Sequence, residues 1–191
     1  AKATGLWAGG TDIQTISPES VAWVTIDKKY QLPVQLKKKE VDKMLGADIS
    51  FLPELEARGM KFSDNGIQKD AIQILKNHGF NYVRLRIFND PARDSGYSPQ
   101  KGFCDVANTK KMAKRVKDAG MKLLLDFHYS DYWADPGKQY KPAAWRNLSF
   151  EELKKSVYEY TKDVLQQLKD QGTVPDMVQV GNEINHGIVW P

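Results

Sequence analysis

Cysteine is nearly absent from the chain. Cys104 stands alone among 191 residues, which excludes an internal disulfide and a cysteine zinc site. It reads as a small hydrophobe in or beside a loop. Histidine is scarce too, with three in all and no His-x-x-x-His pair, so a histidine metal site has little to build on. No apolar run approaches the ~20 residues that a membrane span requires. No Gly-x-Gly-x-x-Gly follows any strand candidate, which weakens a dinucleotide-binding reading. Charge of one sign is not concentrated either: the net charge is a mild +4. Lys37, Lys38 and Lys39 form the one tight basic run and lack interleaved aromatics, so they read as a solvated face and not as a nucleic-acid surface. The opening Ala1-Lys2-Ala3-Thr4-Gly5 is not a signal peptide, so an export signal is expected to have been removed or never to have been there.

What is present fits a folded domain with a core: 41% hydrophobic and 27% charged residues argue against disorder. Residues 1–45 differ in character from the rest. Short strands are expected at 21–26 and 31–36, split by the polar turn Asp27-Lys28-Lys29. They make a β-rich N-terminal extension, either an appendage or the tail of an accessory β domain, with no function assigned.

From Gly46 to Pro191 one pattern recurs: a short apolar strand, a loop, and an amphipathic helix closed by glycine. Strands are expected at 46–50, 81–88, 121–127 and 177–181. Helices are expected over roughly 68–78, from an N-cap at Asn108 to Gly120, and from the Ser149-Phe150-Glu151-Glu152 capping box to near Gly172. Apolar strands alternating with helices indicate an α/β protein with a parallel sheet. Both a doubly wound sheet and a barrel satisfy that pattern. The long aromatic-rich loops all follow strands, as active-site loops do in a TIM (β/α)8 barrel.

The segment Val180-Gly181-Asn182-Glu183-Ile184-Asn185 ends an apolar strand abruptly in a carboxyl group at the mouth of the sheet. Glycoside hydrolysis needs a carboxylic acid to protonate the leaving oxygen and a neighbouring amide to hold a sugar hydroxyl. Glu183 and Asn182 have those groups, although a solvated Glu in a turn has the same pattern. After the third strand, the stretch from Asp126 to Gln139 mixes His128, Asp131 and Asp135 with Tyr129, Tyr132 and Trp133. Stacking rings beside carboxylates suit a sugar, yet the same rings could pack over a barrel rim. Arg84 and Arg86 share one strand face and need carboxylate partners such as Asp48, Asp126 or Glu183. One of the two is expected in a structural ion-pair layer and the other at the site.

Taken together, several blocks resemble glycoside hydrolase family 53, the arabinogalactan endo-β-1,4-galactanases. They are Gly46-Ala47-Asp48-Ile49-Ser50, Asn81 to Arg86, Leu125 to Asp131, Trp133-Ala134-Asp135-Pro136-Gly137-Lys138-Gln139, and Gln179 to Asn185 with Trp190-Pro191. The likeness covers roughly residues 46–191. Asn-Glu after a strand marks the wider clan of retaining (β/α)8 enzymes, and the third-strand loop marks the galactanases. The resemblance implies about the first four β/α units of a TIM barrel and a retaining double displacement. By the same resemblance Glu183 is acid/base, Asn182 holds the hydroxyl beside the reacting carbon, Arg84 and His128 order the carboxylates, and Trp133 forms part of the sugar floor. Arg86, Asp48, Asp126, Asp131 and Asp135 are supporting candidates.

The family's nucleophile glutamate ends a seventh strand, and nothing in this chain matches it. The expectation is therefore an N-terminal half barrel, inactive alone, whose partner is the missing C-terminal half. The substrate implied is plant cell-wall β-1,4-galactan. No cofactor, metal or nucleic acid is implied, and action is placed extracellularly, at the cell surface or in the periplasm. Two alternatives stand beside this one. A mannanase or cellulase of the same clan disagrees with the third-strand loop. A non-catalytic polysaccharide-binding module disagrees with the wealth of helix signals.

Overall fold

The computed structural model describes residues 43–190 and two short strands before them, β1 (Ala3–Thr4) and β2 (Thr15–Ile16), paired antiparallel. The strands expected at 21–26 and 31–36, and the Lys37–Lys39 run, lie outside the described residues. The chain divides into two compact units, Ala1–Lys43 and Met44–Pro191. All candidate site residues fall in the second.

That unit opens with β3 (Gly46–Asp48) and α1 (Leu52–Ala57). A hairpin of β4 (Phe62–Asp64) and β5 (Ile67–Lys69) leads into α2 (Ala71–Asn77). Three further strands alternate with helices: β6 (Tyr82–Ile87), α3 (Val106–Asp118), β7 (Lys122–Phe127), α4 (Phe150–Asp170) and β8 (Met177–Val180). The sheet is parallel, in the order β3-β6-β7-β8. Each new strand joins on the side of the last, whereas a doubly wound sheet reverses direction part-way. The arrangement is the wall of a barrel, with about four of the eight β/α units.

Several boundaries differ from expectation, each for a local reason. Gln68 and Lys69 belong to the hairpin, so α2 starts at Ala71, capped by Asp70, whose carboxylate accepts from the Ile72 and Gln73 N–H groups. The N-cap of α3 is Asp105 and not Asn108: its carboxylate accepts the Asn108 N–H at 2.6 Å, while Asn108 Nδ2 donates to Gly102 O. The α4 capping box is present, with Glu152 accepting the Ser149 N–H at 2.8 Å. The α1 helix and the hairpin are additions to the expected pattern. The hairpin turns at Asn65-Gly66, both with positive φ, the residue pair that a tight two-residue turn favours.

The strands are not uniformly apolar but alternate. Val83, Leu85, Ile87, Leu123, Leu125 and Phe127 face the helices and pack on Ile72, Met112, Val116, Leu153, Val164 and Leu168. Full burial of such side chains contributes about 1.5–3 kcal/mol each. The opposite face carries Arg84, Arg86, Asp126 and Gln179. By the two-residue period of a strand, this second set points into the barrel lumen. One face therefore holds the fold together while the other is free to carry charge. Among the described residues no helix is long and apolar enough to cross a membrane.

Candidate active site

Register places the charges together. Asp48 pairs with Arg84 across β3 and β6, and Arg86 pairs with Asp126 across β6 and β7. Arg84 is the hub. Its Nη1 donates to Asp48 Oδ2 at 2.5 Å, and its Nη2 donates to Asp126 Oδ2 at 2.6 Å and to Asn182 Oδ1 at 2.9 Å. One guanidinium thus ties three strand ends into a unit, as its planar fork of donors allows.

Asp126 is fully buried and His128 is 1% exposed. His128 Nδ1 accepts the Ala134 N–H at 3.0 Å, which leaves the proton on Nε2. That Nε2 lies 3.1 Å from Asp126 Oδ2, but outside good hydrogen-bond geometry. His128 thus packs against the buried carboxylate while its Nδ1 holds the loop that carries Trp133. At Asp48, burial works against the charged form, yet hydrogen bonds from Ser50 and the charges of Arg86 and Arg84 outweigh it. Its carboxyl is held below the ordinary value.

The turn after β8 presents Asn182 and Glu183. Gly181 has φ +97, and a Cβ there would sit 2.5 Å from Ile184 Cγ2, so only glycine fits. Glu183 also has a positive φ, 51°, a conformation that costs a non-glycine residue roughly 1–3 kcal/mol. Asn182 is held at both ends: its Oδ1 by Arg84, and its Nδ2, which donates to Ala134 O at 2.8 Å. Glu183 is exposed. Among the described residues its carboxylate makes no hydrogen bond or ion pair with Arg84 or His128, so the contact to that cluster runs through Asn182.

The remaining candidates divide. Trp133 stands beside the cluster, 5.7 Å from the His128 ring and 4.1 Å from the Arg86 guanidinium. Asp131 accepts from the Asp90 and Ala143 N–H groups and from Arg93, so it braces loops. Asp135 pairs with Lys138 at 3.0 Å within its own turn. Tyr129 is buried on Phe127 and belongs to the core, whereas Tyr132 remains exposed. Cys104 is buried and its thiol is pushed up to about 12 by burial, which makes it a hydrophobe without nucleophilic character.

Two residues escape the sequence reading. Gln139, 2% exposed, donates from Nε2 to Asn182 O at 2.8 Å and to Asp135 O at 3.1 Å, clamping the β8 turn to the β7 loop. Tyr97, from the loop after β6, meets Trp133 near-perpendicularly at 5.9 Å and donates to Glu54 at 3.1 Å. An aromatic in a long loop after a strand is the available signal for Tyr97. Gln139 has none beyond its place in the block. Two concavities among the described residues, about 490 and 510 Å³, are lined by α4 and its neighbours, away from the Arg84 cluster.

The model of Glycosyl hydrolase family 53 matches residues 44–191. The chain belongs to glycosyl hydrolase family 53. It is 48% identical over 147 residues to the endo-beta-1,4-galactanase of Bacillus subtilis (strain 168), covering 76% of this chain and 34% of that protein. Identity to the arabinogalactan endo-beta-1,4-galactanase of Cellvibrio japonicus (strain Ueda107) is 43% over 142 residues, covering 74% and 36%. The solved Ignisphaera aggregans GH53 catalytic domain superposes with a TM-score of 0.72 at 46% identity, over 76% of this chain and 41% of that one. This family 53 chain thus spans about two fifths or less of the length of these relatives.

Proposed function

We propose that this family 53 chain supplies the acid/base side of a retaining endo-β-1,4-galactanase acting on galactan or type I arabinogalactan. Glu183 protonates the departing glycosidic oxygen and then takes a proton from water. Asn182 presents its amide to the hydroxyl beside the reacting carbon. One Nδ2 hydrogen is taken by Ala134 O, and the other remains for the sugar. Arg84 and His128 keep Asp126 and Asn182 in register, and Trp133 stacks on a galactose C–H face. Asp48 and Arg86 support these groups, and Asp131 and Asp135 hold the loops that shape the rim.

The observation that carries this reading is the Arg84 bond to Asn182. It ties the Asn-Glu turn of β8 to the carboxylates of β3 and β7 in a family 53 framework. The nucleophilic carboxylate, about 5–5.5 Å from Glu183 in a retaining site, is assigned to the portion of the relatives outside the matched region. The same portion is proposed to close the barrel as the partner of these four units. Polymer hydrolysis places the protein's work outside the cytoplasm, in polysaccharide breakdown. No cofactor takes part in the proposed steps.

The test uses a chain of the relatives' full length. Glu183→Gln lowers kcat on β-1,4-galactan by about 10²–10⁴. It spares the first step on an aryl galactoside whose leaving group needs no proton, so a glycosyl-enzyme accumulates as a burst. Galactan hydrolysis at the parental rate by Glu183→Gln contradicts the assignment.

A further inference from the structure

Arg86 has no part in the proposed proton transfers, and its surroundings are unusual for a guanidinium. It is 6% exposed, and Nε and Nη2 are buried without a hydrogen-bond partner. Its nearest carboxylate oxygen, Asp48 Oδ2, is 3.6 Å from Nη1 and already accepts from Arg84 at 2.5 Å. These two donors are thus unmet among the described residues, and burying such polar groups is costly.

An aromatic face offsets that cost. Arg86 Cζ lies 4.1 Å from the Trp133 ring centroid and 5.6 Å from that of Phe51. At the shorter distance the flat cation is in stacking range of the indole. The two partners are held very differently. Arg86 lies inside β6, and its own N–H donates to Ser50 Oγ at 2.7 Å, while that hydroxyl donates to Asp48 at 2.6 Å. Trp133 rides on the loop after β7 and is partly exposed. Phe88, Tyr97 and His128 stand near-perpendicular to it at 5.7–6.0 Å. A cation carried on a strand therefore adds a stacking contact to a ring that Phe88, Tyr97 and His128 meet edge-on.

Direct contact between Arg86 and substrate does not fit. The cavity beside it, lined also by Ser50, Cys104 and Thr109, holds about 10 Å³. That is room for about one water, far less than a sugar ring needs.

We infer that Arg86 is a positioning residue whose guanidinium, carried on β6 and facing Asp48, helps to fix the plane of Trp133 and so presets the sugar-stacking face. This rests on the galactanase reading in that Trp133 is taken as the sugar floor. A ring already fixed loses less freedom on binding, so the effect is on affinity more than on the bond-breaking step.

The test is a double-mutant cycle in the full-length protein. Arg86→Met removes the charge and keeps the length, Arg86→Lys keeps the charge and loses the plane, and Trp133→Ala removes the ring. Arg86→Met is expected to raise KM for β-1,4-galactan about fivefold, with Arg86→Lys recovering part of that loss. In the Trp133→Ala background the same substitutions add no further loss in kcat/KM. Losses that multiply across the two sites, or an unchanged KM, would overturn the inference. If Arg86→Met does not fold, the cycle with Arg86→Lys reads the same coupling.

A second readout does not depend on substrate. The near-ultraviolet dichroism lost in Trp133→Ala is expected to be lost or strongly reduced in Arg86→Met as well, and its retention would overturn the inference. Parental turnover of galactan by Glu183→Gln contradicts the galactanase reading alone, because the dichroism still reports whether Arg86 fixes the ring.

Discussion

At the scale of single residues, Arg84 and Asn182 are the shared points of a hydrogen-bond network that joins the strand ends. Asn182 is the clearest case, held by Arg84 on one side and by Ala134 on the other. Gln139, itself buried, sits behind it and donates to the Asn182 and Asp135 carbonyls. Gln139→Ala strips the part-buried Asn182 and Asp135 carbonyls of this donor, a loss of about 1 kcal/mol or more. In the full-length protein this is expected to lower the denaturant midpoint and to lower kcat, because the Glu183 turn loses its clamp. A midpoint within experimental error of the parent would contradict the clamping role of Gln139. Asp48 makes a pH prediction. Its folded-state pKa lies below the ordinary value of 3.8. The stability it contributes is therefore present above that value and is lost as pH falls through the depressed one. A plot of denaturant midpoint against pH is expected to bend downward below about pH 4, and Asp48→Asn is expected to flatten that bend. Much of this cluster is legible in the sequence, because strand ends announce themselves and Arg84 and Arg86 share a parity. What is not legible is the division of labour among similar side chains. Asp126, Asp131 and Asp135 are alike in sequence, and only the chain's path makes the first a buried partner of Arg84 and the others loop braces.

At the scale of elements, local chemistry explains both the successes and the misses. Ser149 and Glu152 make a reciprocal cap that can be read directly from four residues, and α4 begins where they say. Ser149→Ala is expected to cost about 1 kcal/mol, measured by urea unfolding of the full-length protein. No change would mean that tertiary packing alone sets the start of α4. Asp70 does more, since it caps α2 and also pairs with Arg115 at 2.6 Å. The α3 boundary is easily misplaced because Asp105 and Asn108 are both good caps three residues apart, and Asn108 spends its amide on Gly102 O instead. The α1 helix has six residues and too few turns to show a period. The strands are expected from their composition to be apolar throughout, yet each has one apolar face and one that serves the lumen. The barrel demands that division, and a reading of the apolar residues alone hides it.

At the scale of the molecule, β3 and β8 end the described sheet, and β8 carries exposed apolar side chains, Met177 at 40% and Val180 at 55%. The α4 concavities add Tyr158, Phe150 and Val174 to the exposed apolar surface. Such surface invites association. The 191-residue chain by itself is expected to bind a hydrophobic dye such as anilinonaphthalene sulfonate and to self-associate with rising concentration in sedimentation. A monodisperse chain without dye binding would contradict the exposure of these apolar side chains. Glu183 is proposed as the proton donor. The most direct test of that role is the structure of the full-length Glu183→Gln variant with an uncleaved β-1,4-galacto-oligosaccharide. The residue-183 side chain is expected within about 2.6–3.2 Å of the glycosidic oxygen, with Asn182 on the neighbouring hydroxyl. A glycosidic oxygen closer to Asp131 or Asp135, with residue 183 turned to solvent, would contradict it.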